Sequence, residues 1–254
     1  MSDPIRTGCS PVDDLLGGGF ERGVVTQLYG PPAAGKTNLA LAAAVEVAAG
    51  GGRVLYIDTE GLSIDRFRQL AEARVHGEGV DDRGTDDRVQ GEGEEDHGTD
   101  ERVETIAGRL IITEAYDFDD QREAVRDAEE LATEVDLIVL DSATGFYRLE
   151  RGDDVEGGDS LRDVAKQVTH LLSLARRHDL AVVITNQVFT DPDADRTRAL
   201  GGNTLEHWTG TLLRVDRFRG GNRRATLEKH RSKAAGENAT FRIVDEGLVE
   251  GHEA

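Results

Sequence analysis

Gly30-Pro31-Pro32-Ala33-Ala34-Gly35-Lys36-Thr37 constrains the fold more than any other segment of the chain. It satisfies the spacing G-x-x-x-x-G-K-[ST] in full. It also stands between a short β-branched run, Val24 to Tyr29, and an Ala- and Leu-rich run, Lys36 to Ala49. Strand, loop and helix in that order make a phosphate cradle. The glycines let the backbone wrap an anion with its N–H groups turned inward, and the start of the helix favours negative charge. Lys36 is placed for the β- and γ-phosphates, the hydroxyl of Thr37 for Mg²⁺, and Asn38 continues the nucleotide-contacting stretch. ATP with Mg²⁺ is the expected ligand.

Further strands are predicted at Arg53 to Asp58, Arg109 to Thr113, Asp136 to Asp141 and Ala181 to Asn186. Helices are predicted at Ser63 to Arg74, Phe118 to Thr133 and Ser160 to His178, so strands and helices alternate. The inner strands read as nearly continuous apolar runs, which implies a parallel sheet covered on both faces. After Gly210 the pattern changes. Leu212 to Phe218 and Arg223 to His230 flank Gly220-Gly221-Asn222 as a hairpin, with a last strand at Phe241 to Val244. The fold class is therefore α/β, a mostly parallel sheet flanked by helices, with an antiparallel C-terminal extension.

Residues 76–105 do not fit that core. They are Gly, Asp, Glu and Arg with little to bury, and Gly77 to Val89 recurs with conservative changes as Gly91 to Val103. Such a duplication reads as a disordered acidic insert, removable with little change in stability. Net charge is −20, from 50 acidic and 30 basic residues among 254. The insert does not explain all of it, because Asp117 to Glu134 is acidic too. An excess of this kind resembles the proteome of a salt-accumulating microbe, where molar salt screens charge within about 3 Å. The single Cys9 excludes an internal disulfide and fits a reducing cytosol. No secretion signal or membrane-spanning run is present, so a cytoplasmic protein without a membrane partner is expected.

Three strand ends carry candidate chemistry. Asp141 closes the apolar run Leu137 to Leu140, where a carboxylate is suited to hold Mg²⁺. Glu60, just past Asp58, can polarise the water that attacks a γ-phosphoryl group; the competing reading is helix capping by Asp58, Thr59 or Glu60. Gln187, after Asn186, can touch the γ-phosphate and report its loss to the following loop; the competing reading is a turn residue.

Tyr56 to Gly61, Leu140 to Thr144, Val183 to Val188 and Leu200 to Asn203 together resemble the ATPase core of the RecA/RadA recombinase family. The likeness runs from about Thr7 to Val249, apart from the insert, and implies one RecA-like P-loop NTPase domain over 1–254. It assigns Lys36, Glu60 and Gln187 to catalysis, Thr37 and Asp141 to the metal, and Arg66 to stacking on adenine. Lys229 and Arg231 fall where relatives carry a basic pair that reaches a neighbouring subunit's ATP, and simple strand alternation would put both on one face. A solvated basic edge is the other reading of that pair.

The chain begins directly at the core, in Arg6 to Gly19, without the amino-terminal DNA-binding domain and polymerisation linker of RadA. Lys229 to Lys233 also looks closer to the short archaeal paralogues of RadA than to RadA itself. That resemblance implies DNA repair and homologous recombination, with weak ATP hydrolysis at most, DNA binding and support of RadA without strand exchange of its own. The partners it implies are DNA, single-stranded by preference, the RadA recombinase, and a homo- or hetero-oligomer. A filament-forming recombinase and a KaiC-like signalling ATPase without a DNA role are the alternatives.

DNA-facing loops are expected at about 145–159 and 189–203, with Phe146, Tyr147, Arg148 and Arg151 in the first and Phe189, Arg196 and Arg198 in the second. In addition, Arg214 to Lys233 holds eight basic residues against two acidic ones. Phosphate contacts weaken steeply with salt, whereas stacking is worth about 1–3 kcal/mol per base. The aromatics are thus expected to outweigh any single arginine, unless they pack beneath their own loops.

Overall fold

The computed structural model of the chain describes residues 2–81, 95–146, 158–191, 196–199 and 201–251. The β-branched and apolar runs form β1 (Val25–Tyr29), β2 (Val54–Asp58), β3 (Leu110–Glu114), β4 (Leu137–Asp141) and β5 (Ala181–Asn186). A separate hairpin of β6 (Val188–Asp191) and β7 (Arg196–Ala199) follows directly on β5. The sheet then resumes with β8 (Thr211–Arg217), β9 (Asn222–Lys229), β10 (Asn238–Val244) and β11 (Gly247–Glu250). Nine strands lie in the order β11-β10-β9-β8-β1-β5-β4-β2-β3. Pairing is parallel from β8 to β3 and antiparallel from β8 to β11, as the change of pattern after Gly210 predicts.

Helices cover both faces: α1 (Ser10–Leu16), α2 (Lys36–Ala49), α3 (Ile64–Asp81), α4 (Glu95–Ala107), α5 (Phe118–Leu131), α6 (Gly158–His178) and α7 (Gly202–Trp208). Strand alternation divides the core in two. Val54, Tyr56, Leu137, Val139, Ala181 and Val183 face α2, whereas Leu55, Ile57, Ile138, Leu140, Val182 and Ile184 face α5 and α6. Asp117 starts α5 by accepting from the backbone N–H of Asp120 at 2.8 Å. Phe118, Gln121, Ala124, Val125 and Ala128 then form that helix's buried stripe.

The expectation of a disordered insert over 76–105 fails at both flanks. Residues 76–81 are the end of α3 and 95–105 belong to α4; only 82–94 lie outside the described residues. Val103 and Ile106 are buried in one core cluster with Phe67, Leu70, Ala71 and Val75 of α3. These two apolar residues sit three apart, one helical turn, at the end of a polar stretch whose average composition concealed them. Removing all of 76–105 would therefore open the core.

The predicted hairpin and the elements of the parallel half hold to within a few residues at their ends, except α3, which continues past Arg74 to Asp81. Helices α1 and α7, the β6–β7 hairpin and β11 were not expected. All are short, and Gly201 and Gly17, which flank two of them, read equally well as loop.

Candidate functional site

The register of the parallel strands places their carboxyl ends side by side. Tyr29 lies beside Asn186, and Asp58 beside Asp141, so the residues that follow gather along one edge of the sheet. This is the edge where an open parallel sheet binds ligands. Gly30, Glu60, Asp141 and Gln187 all meet there, as the sequence reading requires.

The loop itself is tightly held. A Cβ at Gly30 would lie 2.0 Å from the carbonyl oxygen of Val215, so the neighbouring strand excludes any side chain. Gly35 precedes α2 with φ of 108°, a conformation that L side chains rarely adopt, and a Cβ there would meet Ile243 Cδ1 at 2.8 Å. Lys36 Nζ folds back over the loop and donates to the carbonyls of Gly30 and Pro31 at 3.0 and 3.1 Å. Burial lowers its pKa, while Glu60 and Asp141 act in the opposite sense.

Asp141 is 2% exposed. Its carboxylate accepts from Tyr56 Oη at 2.8 Å and from the hydroxyls of Thr185 and Thr37. Burial nevertheless holds this carboxyl above the usual range, and Glu60 pushes in the same direction. Glu60 Oε1 accepts from Ser142 Oγ at 2.8 Å and from Gln187 Nε2 at 3.1 Å. The capping alternative belongs to its neighbour: Asp58 accepts from the backbone N–H groups of Glu60, Gly61 and Leu62 and shapes the turn that carries Glu60 outward. Thr59 Oγ1 accepts from Ser142 N at 2.8 Å and fastens that turn to the end of β4. Thr144 donates to Asn186 Oδ1 at 2.6 Å within the buried layer and ties the exits of β4 and β5 together.

Tyr56, Thr59, Ser142 and Thr185 were missed as members of the site. Only their hydroxyls signalled it, and which hydroxyl faces Asp141 depends on the lateral register.

The group implied by the loop fits these residues. The loop's two glycines let its backbone lie close against Val215 and Ile243, where a side chain would collide. Thr37 and Asp141 are already in hydrogen-bond contact, two hard oxygen donors of the kind Mg²⁺ takes alongside phosphate and water.

Arg66 lies beside the start of α2. Its Nε donates to Asn38 Oδ1 at 2.9 Å, and its other nitrogens donate to Gln69 and to the carbonyls of Val244, Asp245 and Gly247. The guanidinium edge is thus committed to joining α3 to the β10–β11 turn, which leaves its faces for stacking.

The basic window from Arg214 to Lys233 does not form one face. Arg214 pairs with Asp216 at 2.9 Å, and Arg224 lies 4.4 Å from the centre of the Phe218 ring. Lys233 donates to the carbonyls of Asp14 and Leu15 at the end of α1. Lys229 Nζ donates to the carbonyls of Glu206 and Thr209 at 2.6 and 2.7 Å and closes the end of α7. Arg231 pairs with Glu21 at 3.0 Å.

Strand alternation does not relate Lys229 to Arg231, because β9 ends at Lys229 and Arg231 lies beyond it. The pairing shift between Leu212 and Leu213, which leaves Glu228 as an extra residue, lies before both. Both residues sit toward the entry of β8, away from the phosphate loop of their own chain.

Of the expected DNA loops, Phe146 packs half-buried against the α5–α6 side of the core. Tyr147, Arg148 and Arg151 lie outside the described residues. Phe189 pairs with Arg198, and Asp191 with Arg196, in the backbone ladder of the β6–β7 hairpin. Among the described residues no helix is long and apolar enough to cross a membrane.

Comparison with known proteins agrees with this geometry. The family model described as Rad51 matches residues 4–83 and 95–251. The DNA repair and recombination protein RadB of Halobacterium salinarum strain R1 is 59% identical over 246 residues, covering 96% of this chain and 94% of that protein. The protein of the same description from Methanococcoides burtonii is 38% identical over 249 residues, covering 98% of both. A solved structure described as the crystal structure of the RadB recombinase superposes with a TM-score of 0.74 at 33% identity, covering 98% of this chain and 100% of that one.

Proposed function

The chain belongs to the Rad51 family, among its RadB members, and from that premise we propose that it is an ATP-gated DNA-binding mediator that supports the RadA recombinase. As a DNA repair and recombination protein of this family it acts on DNA; the gating is the finer reading. One observation carries it: Gln187 Nε2 reaches Glu60 Oε1 at 3.1 Å, and Gln187 is the residue immediately before the β6–β7 hairpin. The group that faces a γ-phosphate is therefore continuous in sequence with a candidate DNA-contacting element.

The chain's own residues divide the work. The loop N–H groups and Lys36 bind the phosphates, and Lys36 exchanges its contacts to the Gly30 and Pro31 carbonyls for phosphate oxygens. Thr37 and Asp141 would hold Mg²⁺, which would supply neutralisation of phosphate charge. Glu60, held by Ser142, orients the attacking water and accepts its proton. Gln187 leaves Glu60 for the γ-phosphate and moves the hairpin behind it. Turnover is weak and serves as a timer for the DNA-bound state rather than a source of strand exchange.

An oligomer is part of this reading. Lys229 and Arg231 are remote from their own chain's loop, so any ATP they touch belongs to another subunit. Each would first have to give up its present partner.

Fluorescence anisotropy with a labelled single-stranded oligonucleotide in molar KCl tests the proposal. ATP should change the affinity of the wild type and leave Gln187→Ala unaffected, while that variant still binds ATP. Absence of DNA binding in either nucleotide state would favour a signalling ATPase. Continuous ATP-dependent filaments by electron microscopy would favour a recombinase.

A further inference from the structure

Arg217 and Arg223 face each other directly across the β8–β9 hairpin. Like charges in that position destabilise an antiparallel pair. Among the described residues no carboxylate pairs with either, because the nearby Asp216 is taken by Arg214. Arg223 Nη1 donates to the carbonyl of Gly221, but its Nε is buried without a hydrogen-bond partner. Burial and the neighbouring Arg217 both lower the pKa of Arg223. In a chain of net charge −20, with 50 carboxylates to draw on, two adjacent arginines left without one mark a place where an anion belongs.

The place is next to the phosphate loop. The Nε and Cγ of Arg223 lie 3.7 and 3.9 Å from where a Gly35 Cβ would stand, beside Ile243 of the neighbouring strand β10. The sheet order fixes which part of a nucleotide lies there. Glu60, Asp141 and Gln187 follow β2, β4 and β5, all on one side of β1, whereas Arg217 and Arg223 are on β8 and β9, on the other. The γ-phosphate belongs to the first side and the nucleoside end to the second. Asn38, Arg66 and the β10–β11 turn, which share hydrogen bonds, close that second side further out.

We propose that Arg223, steered by Arg217, is a nucleotide-binding residue that contacts the α-phosphate and ribose end of the bound nucleotide. The antiparallel extension then forms the second wall of the ATP site. This rests on the ATP reading of the loop. Its function is recognition common to ATP and ADP, not discrimination between them.

Isothermal calorimetry with MgATP and MgADP in molar KCl tests it on the full chain. Arg223→Gln should weaken both nucleotides by a similar factor of roughly tenfold, the loss of one charge-assisted hydrogen bond. Arg217→Gln should weaken both to a smaller extent and leave the melting temperature of the ligand-free protein unchanged or higher, since repulsion is relieved. A residue that merely packs would lower it. Should Arg223→Gln fold poorly, Arg223→Lys, which keeps the charge and the stem, should show the same loss on both nucleotides to a smaller extent. Wild-type affinity for both nucleotides in these variants overturns the proposal, and so does a loss confined to ATP, which would place Arg223 at the γ-phosphate. Unchanged nucleotide binding with weakened single-stranded DNA binding also overturns it, in favour of a DNA contact. If the wild type bound neither nucleotide, the ATP reading itself would fall.

Discussion

In the parallel half of the sheet, β1, β5, β4 and β2 are each buried along their whole length and deliver the residues at their carboxyl ends to the same edge. In the antiparallel half, β8 to β11, the charged residues lie within the strands and are handed to different neighbours along the way. The first arrangement concentrates chemistry, because side-by-side strand ends aim Gly30, Gln187, Asp141 and Glu60 into one crevice. The second disperses it: of the basic residues between Arg214 and Lys233, one forms an ion pair with its own strand, one stacks on Phe218, and two close helix ends. A run of positive charge in sequence is thus no patch in space when it spans a hairpin. A set of polar residues scattered over the sequence becomes a site when each ends a parallel strand.

The largest expected effects would break this contrast in the parallel half. Lys36→Ala should reduce ATP affinity by at least roughly a hundredfold in calorimetry, through the loss of the ammonium's charge-assisted hydrogen bonds to phosphate. Glu60→Gln should bind ATP as the wild type does and slow phosphate release by about two orders of magnitude, the usual share of a general base. Normal hydrolysis by Glu60→Gln would remove Glu60 from the mechanism.

Smaller effects test the antiparallel half. Lys229→Ala should lower unfolding stability by about 1–2 kcal/mol, because the last carbonyls of α7 lose a charged donor, while ATP affinity of the monomer stays unchanged. Arg231→Ala breaks an exposed pair with Glu21 and should change stability by less than about 1 kcal/mol in the same denaturant titration. A loss of ATP turnover that appears only in concentrated Lys229→Ala or Arg231→Ala protein would instead reveal contacts between subunits.

The finest test is one of pH. Burial lowers the pKa of His230 below 6.5, with Lys233 and Arg231 acting in the same sense and Glu21 against it. The unfolded chain therefore takes up this proton first as pH falls, and stability drops below about pH 6.5 while remaining level above it. His230→Gln should flatten that part of the stability curve relative to the wild type.

Much of the site could be read from the chain alone because each member is set by its immediate surroundings. Lys36 and Thr37 follow a glycine loop, and Asp141 ends an uninterrupted apolar run. What was not legible depended on neighbours distant in sequence. The helical flanks of the insert needed Val75 of α3 to show that Val103 and Ile106 have something to pack against. Tyr56 and Thr185 needed the lateral order of three strands before either could be assigned to Asp141.

The phosphate loop, the strand-ending carboxylates and the change from parallel to antiparallel pairing were determined by the sequence itself. Each is a matter of local backbone conformation or of periodicity along a few residues. The tertiary structure decided where the basic residues go. The strand β9 stops at Lys229, so the alternation that sequence periodicity assumes does not reach Arg231, and Lys229 takes its partners from the end of α7, about twenty residues away in sequence. Pairing register and bulges are settled by contacts across the sheet, which the order of residues along one strand does not contain.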